Sequence, residues 1–227
     1  MLRTASYFFS PTLVSAIVIY FCYRSTTRGN PTTAMASTPE TLPHKHRLNV
    51  GEYYRMAEAG ILAANARVEL INGEIIDMAP IGSKHAACVK RLGKLLNLRL
   101  DDAAIDTAIV SVQDPLRLSE FSEPEPDLAL LKPREDFYAV AHPGPEDTLL
   151  VIEVAASSLE YDRDVKLPLY AAHGIPEVWL IDLEGKKLSI YREPLDNTYR
   201  QIETPSSLAA LTPRLLPRLK LDLSELF

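Results

Sequence analysis

The chain has 227 residues, 47% hydrophobic and 24% charged, with 24 lysines and arginines against 30 acids and a formal charge of −6. This is the composition of an ordinary globular domain with a substantial core, and its acidic balance excludes a protein that coats nucleic acid through bulk charge. Two cysteines, Cys22 and Cys88, cannot build a disulfide framework, which points to a reducing, cytoplasmic setting.

Residues 1–34 differ from the remainder of the chain. Their only charged side chains are Arg3, Arg24 and Arg28, so from Met35 onward 21 basic residues face 30 acidic ones, a balance of −9. Leu13 to Tyr23 is apolar but, at 11 residues, short of the roughly 20 that span a bilayer. Residues 7–23 could serve as a signal or anchor. The preferred expectation is that translation begins at Met35, with residues 35–47 a linker and residues 48–227 the domain.

Asn49 with Glu52 three residues on predicts a capping box opening a short helix that Gly60 ends. In Val68 to Met78, Asn72-Gly73 separates two alternating apolar runs and predicts a hairpin, because a type I′ turn needs positive φ at both central positions. Glu69 sits on its first strand. Lys84 to Leu100 carries apolar residues at helical spacing; His85, at its start, reads as a capping or packing residue. A strand over Ile105–Val112 comes next, continued or paired by Pro115–Leu118. Gln113 lies in the same region as a lesser site candidate.

Pro126-Asp127 then leads into an apolar run, and Lys132 to Asp147 is a surface loop. Leu149 to Ala155 reads as a buried strand with a glutamate, Glu153, inside it. A carboxylate there is costly unless it is paired, hydrogen-bonded or holding a metal; otherwise it is a solvated acid at the strand's end. Ser157-x-x-Glu160 predicts a helix start, Pro168 a kink or restart, and Gly174 an end. Ile175–Asp182 and Lys187–Arg192 form a second hairpin around Glu184-Gly185, with Trp179 in the core. The tail LKLDLSELF predicts a short strand and turn.

Asp127 and Glu153 each adjoin a short apolar strand. If those strands pair, the two carboxylates converge at one end and suit Mg²⁺, a hard cation that takes oxygen ligands and keeps several waters. Such a metal polarises a phosphate oxygen and acidifies water for phosphodiester hydrolysis. Glu74, Asp77 and Asp164 read as solvated or supporting.

Several stretches resemble the Uma-type restriction endonuclease family of the PD-(D/E)XK nuclease superfamily. They are Arg67 to Ile75 (RVELINGEI), Glu125-Pro126-Asp127, Val151-Ile152-Glu153-Val154, Asp162 to Lys166 running into Leu167-Pro168-Leu169-Tyr170, and Gly174 to Asp182. The likeness runs in order over roughly Leu48 to Phe227. It implies an α/β fold with a central mixed sheet flanked by helices, plus hairpins, and hydrolysis of DNA with Mg²⁺ or Mn²⁺. It assigns Asp127 to the PD position, Glu153 to the second acid, both as metal ligands, and Glu69 to the upstream acid.

One departure matters. The superfamily pattern has a lysine two residues after the second acid, where this chain has Ala155. The resemblance moves the cation to Lys166 on the following helix. Taken alone, Asp162 and Lys166 read as an exposed i,i+4 pair worth a few tenths of a kcal/mol; beside the resemblance, Lys166 is the site base or charge stabiliser. A homodimer is an expectation for an enzyme that cuts both strands. The displaced lysine and the −9 balance also support an alternative, a nuclease-fold binding or scaffold protein with weak or no catalysis.

Overall fold

The computed structural model describes residues 44–227 apart from Ala64. The apolar run Leu13–Tyr23, the expected start at Met35 and most of the expected linker lie outside the described residues. Among those described, no helix is long and apolar enough to cross a membrane.

The capping box at Asn49 forms as expected. The Asn49 side chain accepts from the Glu52 amide, Glu52 reaches back to the Asn49 amide, and α1 runs Val50–Glu58. β1 (Val68–Ile71) and β2 (Glu74–Asp77) pair antiparallel around Asn72 (φ 52) and Gly73 (φ 81). Gly73 is required twice over: a Cβ there would meet Arg47 Cβ at 2.6 Å, besides the strain of its left-handed backbone.

The main sheet has six strands in the order β3 (Ile109–Val112), β4 (Leu128–Leu131), β5 (Thr148–Ala155), β6 (Glu177–Asp182), β7 (Lys187–Leu195) and β8 (Thr198–Glu203). β5 and β6 are parallel and every other pairing is antiparallel, so the sheet is mixed. Both faces are covered, which is why β4 and β5 read as continuous apolar runs. Leu128, Leu130, Leu150, Ile152, Val154, Trp179 and Ile181 face the long helix α2 (Ser83–Asp102) and the leucines of the C-terminal segment. Ala129, Leu131, Val151, Val178 and Leu180 face the opposite layer, with Leu167, Leu169 and Tyr170. Burying each such large apolar side chain contributes about 1.5–3 kcal/mol.

That opposite layer is one helical segment in three parts: α3 (Leu159–Tyr161), a π turn (Asp162–Lys166) and α4 (Leu167–Ala172), ended at Gly174 (φ 75). Pro168 stands in the first turn of α4, directly after the π turn.

Four local expectations need correction. The strand expected from Ile105 starts at Ile109, because Ala104 (φ 48) and Ile105 are used to close α2; the Ile105 amide donates to the Leu100 carbonyl. Pro115–Leu118 is no strand, since its amides go to the loop carbonyls of Pro124, Pro143 and Ser122. Ser157 does not cap a helix: Leu159 begins it, and the Ser158 hydroxyl bonds the Asp162 carboxylate instead of a backbone amide. β8 went unforeseen because only Tyr199 of its six residues points inward, and the tail forms a single bridge, Leu211 to Leu221, rather than a strand.

Candidate active site

β4 and β5 pair with Leu128 opposite Ile152, so Asp127, one residue before β4, stands at the same sheet end as Glu153. The backbone ties them together. The Asp127 amide donates to Glu153 Oε2 at 3.3 Å, and the Val154 amide donates to Asp127 Oδ2 at 2.9 Å. The expected convergence of the two acids is therefore present. Alternation along β5 turns Glu153 away from α2 and toward the helical segment, where it is 3% exposed.

The π turn delivers the cation. Lys166 Nζ lies 2.8 Å from Glu153 Oε1 and 3.6 Å from Glu69 Oε2, and donates to the Glu125 carbonyl at 3.2 Å. The exposed-pair reading of Asp162 and Lys166 is overturned: both are buried, and Asp162 bonds Ser158 rather than Lys166. π turns are rare and cluster at functional sites. Tyr170 shares that oxygen of Glu153, its hydroxyl donating to Oε1 at 2.6 Å.

Glu69 reaches the site because the first hairpin is stitched to the loop before β4, with the Glu123 amide donating to the Leu70 carbonyl at 2.7 Å. One Glu69 oxygen accepts the Glu125 amide at 3.0 Å, the other the Tyr161 hydroxyl at 2.9 Å. Its place is beside Lys166 rather than beside Asp127.

His85 is the residue that sequence reasoning undervalues. It stands in the first turn of α2, but its Nε2 is 2.9 Å from Asp127 Oδ2. Gln113 Nε2 donates to the other oxygen at 3.2 Å. Gln113 holds φ 54, a conformation that costs a non-glycine residue about 1–3 kcal/mol, and its own amide bonds the Asp127 carbonyl. No local signal marks His85, since its partner is 42 residues away.

The electrostatics follow from this packing. Burial pushes the Glu153 carboxyl up, while the Lys166 charge pulls it back. Burial acts to lower the Lys166 ammonium, but Glu153, Glu69 and Asp162 outweigh it and hold it above its ordinary value. The Asp127 hydrogen bond raises His85 against its burial. Burial raises Asp162, and also Glu125 beside Glu69.

These groups line one cleft of about 390 Å³, walled further by Arg67, Asp77 and the segment Met78 to Gly82. It holds buried acids, a fixed ammonium and a carboxylate gripped by a histidine and a glutamine. Residues 50–224, nearly the whole described domain, match the Uma2 family, whose description is putative restriction endonuclease. The chain belongs to the Uma2 family.

A solved structure described as a putative nuclease belonging to DUF820, from Anabaena variabilis, is similar to this Uma2 chain at a TM-score of 0.61 and 20% identity, covering 79% of this chain and 97% of that one. At that identity the likeness is one of fold. No curated protein matches the chain. The Uma2 match brings the stretches from Arg67 to Asp182 into one family, and the fold brings their acids and lysine to one place.

The donor chemistry of the cleft fits a hard divalent cation. Glu153 Oε1 takes the Lys166 ion pair at 2.8 Å and the Tyr170 hydrogen bond at 2.6 Å, and Asp127 Oδ2 takes two hydrogen bonds of 2.9 Å. Glu153 Oε2 and Asp127 Oδ1 each carry a single longer one, of 3.3 and 3.2 Å. One oxygen of each acid thus keeps coordinating capacity. Among the described residues, no three His, Cys, Asp or Glu side chains surround one point as a ready ligand set, so two carboxylates with water would complete the coordination of a small hard ion.

Proposed function

We propose that the protein is a metal-dependent DNA endonuclease, with Asp127 and Glu153 holding Mg²⁺ or Mn²⁺. The observation that carries the reading is Lys166 Nζ, 2.8 Å from Glu153 at the sheet end that also bears Asp127. The motif's missing lysine is thereby supplied from the π turn. A bound Mg²⁺ contributes polarisation of a phosphoryl oxygen and a lowered pKa for water.

The chain's own residues supply the rest. Lys166, held as an ammonium by the acids around it, provides fixed positive charge for an anionic phosphorane-like transition state, a role that fits its raised pKa better than that of a base. Glu69 and the Glu125 carbonyl aim that ammonium from the side away from Glu153. Tyr170 and Tyr161 hold the two glutamates in single orientations. His85 and Gln113 do the same for Asp127, the kind of support that commonly sets metal affinity. The alternative of a non-catalytic scaffold rests on the displaced lysine and on the −9 balance from Met35 onward; Lys166 beside Glu153 supports the catalytic reading against the first of these.

The test is cleavage of supercoiled plasmid by the full chain. Nicking or linearisation should need Mg²⁺ or Mn²⁺, stop with EDTA and be lost in Asp127→Asn. Cleavage retained in a pure Asp127→Asn preparation would sink the site assignment.

A further inference from the structure

We infer that the outer face of α2 is the track along which the DNA phosphate backbone runs into the cleft; this rests on the nuclease reading of the cleft. α2 holds five of the chain's cations, Lys84, Lys90, Arg91, Lys94 and Arg99, and no acid until Asp101. This stands out in a chain whose residues from Met35 onward carry 21 basic against 30 acidic residues. Helical spacing gathers Lys84, Lys90, Arg91 and Lys94 on one side, opposite the buried Leu92 and Leu96, and all four are exposed.

An exposed charged helix face is often only solvated, and two observations set this one apart. First, among the described residues Arg99 is the one α2 cation with a carboxylate partner, Asp102 at 3.1 Å. The other four are unpaired, so neutralising them removes no internal ion pair. Second, the face begins at the cleft: Gly82 and His85, on either side of Ser83 and Lys84, line it, and His85 grips Asp127.

The charge spacing suits the ligand. At 1.5 Å per residue, Lys84 to Lys94 spans about 15 Å of helix. One strand of duplex DNA carries a phosphate per about 3.4 Å of axis, so about four phosphates lie over that length. Four cations face about four anions, immediately beside the carboxylates proposed to hold the metal. The acidic cleft cannot attract a polyanion without a metal; α2 supplies that attraction without placing cations between the ligating acids.

The test neutralises the face in the full chain: Lys84→Gln, Lys90→Gln, Arg91→Gln and Lys94→Gln together, glutamine being as good a helix former as lysine. A second variant, with Lys186→Gln, Lys187→Gln, Arg200→Gln and Lys220→Gln, makes the same charge change elsewhere. Binding of a fluorescent duplex is followed by anisotropy in EDTA over a salt series, and hydrolysis of bis(p-nitrophenyl) phosphate with Mn²⁺ in parallel.

The α2 variant is expected to bind at least tenfold more weakly at low salt, with a log K against log salt slope shallower by about 3–4. Its small-diester hydrolysis, which also reports correct folding, should be unchanged, and the second variant should bind like wild type. Equal weakening in both variants, or wild-type binding by the α2 variant while the diester is still hydrolysed, overturns the track and leaves the nuclease reading intact. Binding of wild type to anionic vesicles and not to duplex also overturns the track. Failure of wild type to hydrolyse either the diester or plasmid DNA, with duplex binding still dependent on α2, defeats the nuclease reading instead.

Discussion

Lys166 Nζ sits 2.8 Å from Glu153 Oε1 although the two residues belong to different layers, one on a central strand and one on a π turn packed over it. The lysine is 3% exposed and shares the pocket with Glu69 at 3.6 Å. Removing it leaves two buried carboxylates without a counter-charge.

Lys166→Ala should therefore lose both stability and activity. Breaking a buried pair by removing one partner costs about 3–5 kcal/mol, read as a lower urea midpoint in EDTA. Single-turnover plasmid cleavage should fall by about 10²–10³, the usual loss when one fixed electrostatic stabiliser is removed. A variant with wild-type cleavage would remove Lys166 from the chemistry.

His85→Ala should weaken Mn²⁺ binding by about 10–100-fold, the usual effect of deleting a group that orients a ligand. His85→Gln, able to offer an N–H to Asp127, should recover part of it. Calorimetric titration measures both. Equal affinity in wild type and His85→Ala would leave the histidine a packing residue, as its sequence context suggests.

Asp162 provides the pH test. Its carboxyl is raised first by burial, with Lys166 and Ser158 pulling the other way. A folded-state pKa above the unfolded value means that the contribution to stability is full below the unfolded pKa, about 3.9, and is lost as pH rises through the folded value. Asp162→Asn, which keeps an acceptor for Ser158, should then be more stable than wild type at pH 7, with the gain disappearing toward pH 3. Urea denaturation across that range checks it; a loss of stability at pH 7 would reverse the sign.

Glu177 makes a structural prediction away from the cleft. It is fully buried and accepts from Trp179 Nε1 at 2.7 Å, Arg192 Nε at 3.0 Å and the Arg214 amide at 2.6 Å. It clips the C-terminal segment to the sheet. Glu177→Ala should cost about 3 kcal/mol, the low end for a broken buried pair because Arg192 keeps Glu203 at 3.2 Å, and speed proteolysis after Thr204, while small-diester hydrolysis per folded molecule stays unchanged.

Local chemistry explains why so much of this arrangement is readable from residues. Asn72-Gly73 needs one turn type, Asn49 and Glu52 one cap, and an apolar run holding Glu153 reads as a strand whose acid is either satisfied inside or solvated at its end. What local pattern cannot carry is contact between distant elements. The i,i+4 spacing of Asp162 and Lys166 is the same for an exposed pair and for a buried π turn, and only the family resemblance separates the two. His85 looks like any helix-start histidine until α2 packs against the sheet end. β8, with one inward side chain, exists because β7 offers it an edge.

The π turn also makes this segment indifferent to spelling between its two buried ends. Arg163, Asp164 and Val165 face solvent, so their identities are free to change. Relatives that drift in letters here should still hold a carboxylate and an ammonium at the two ends, because Asp162 and Lys166 are the residues of the turn that are buried.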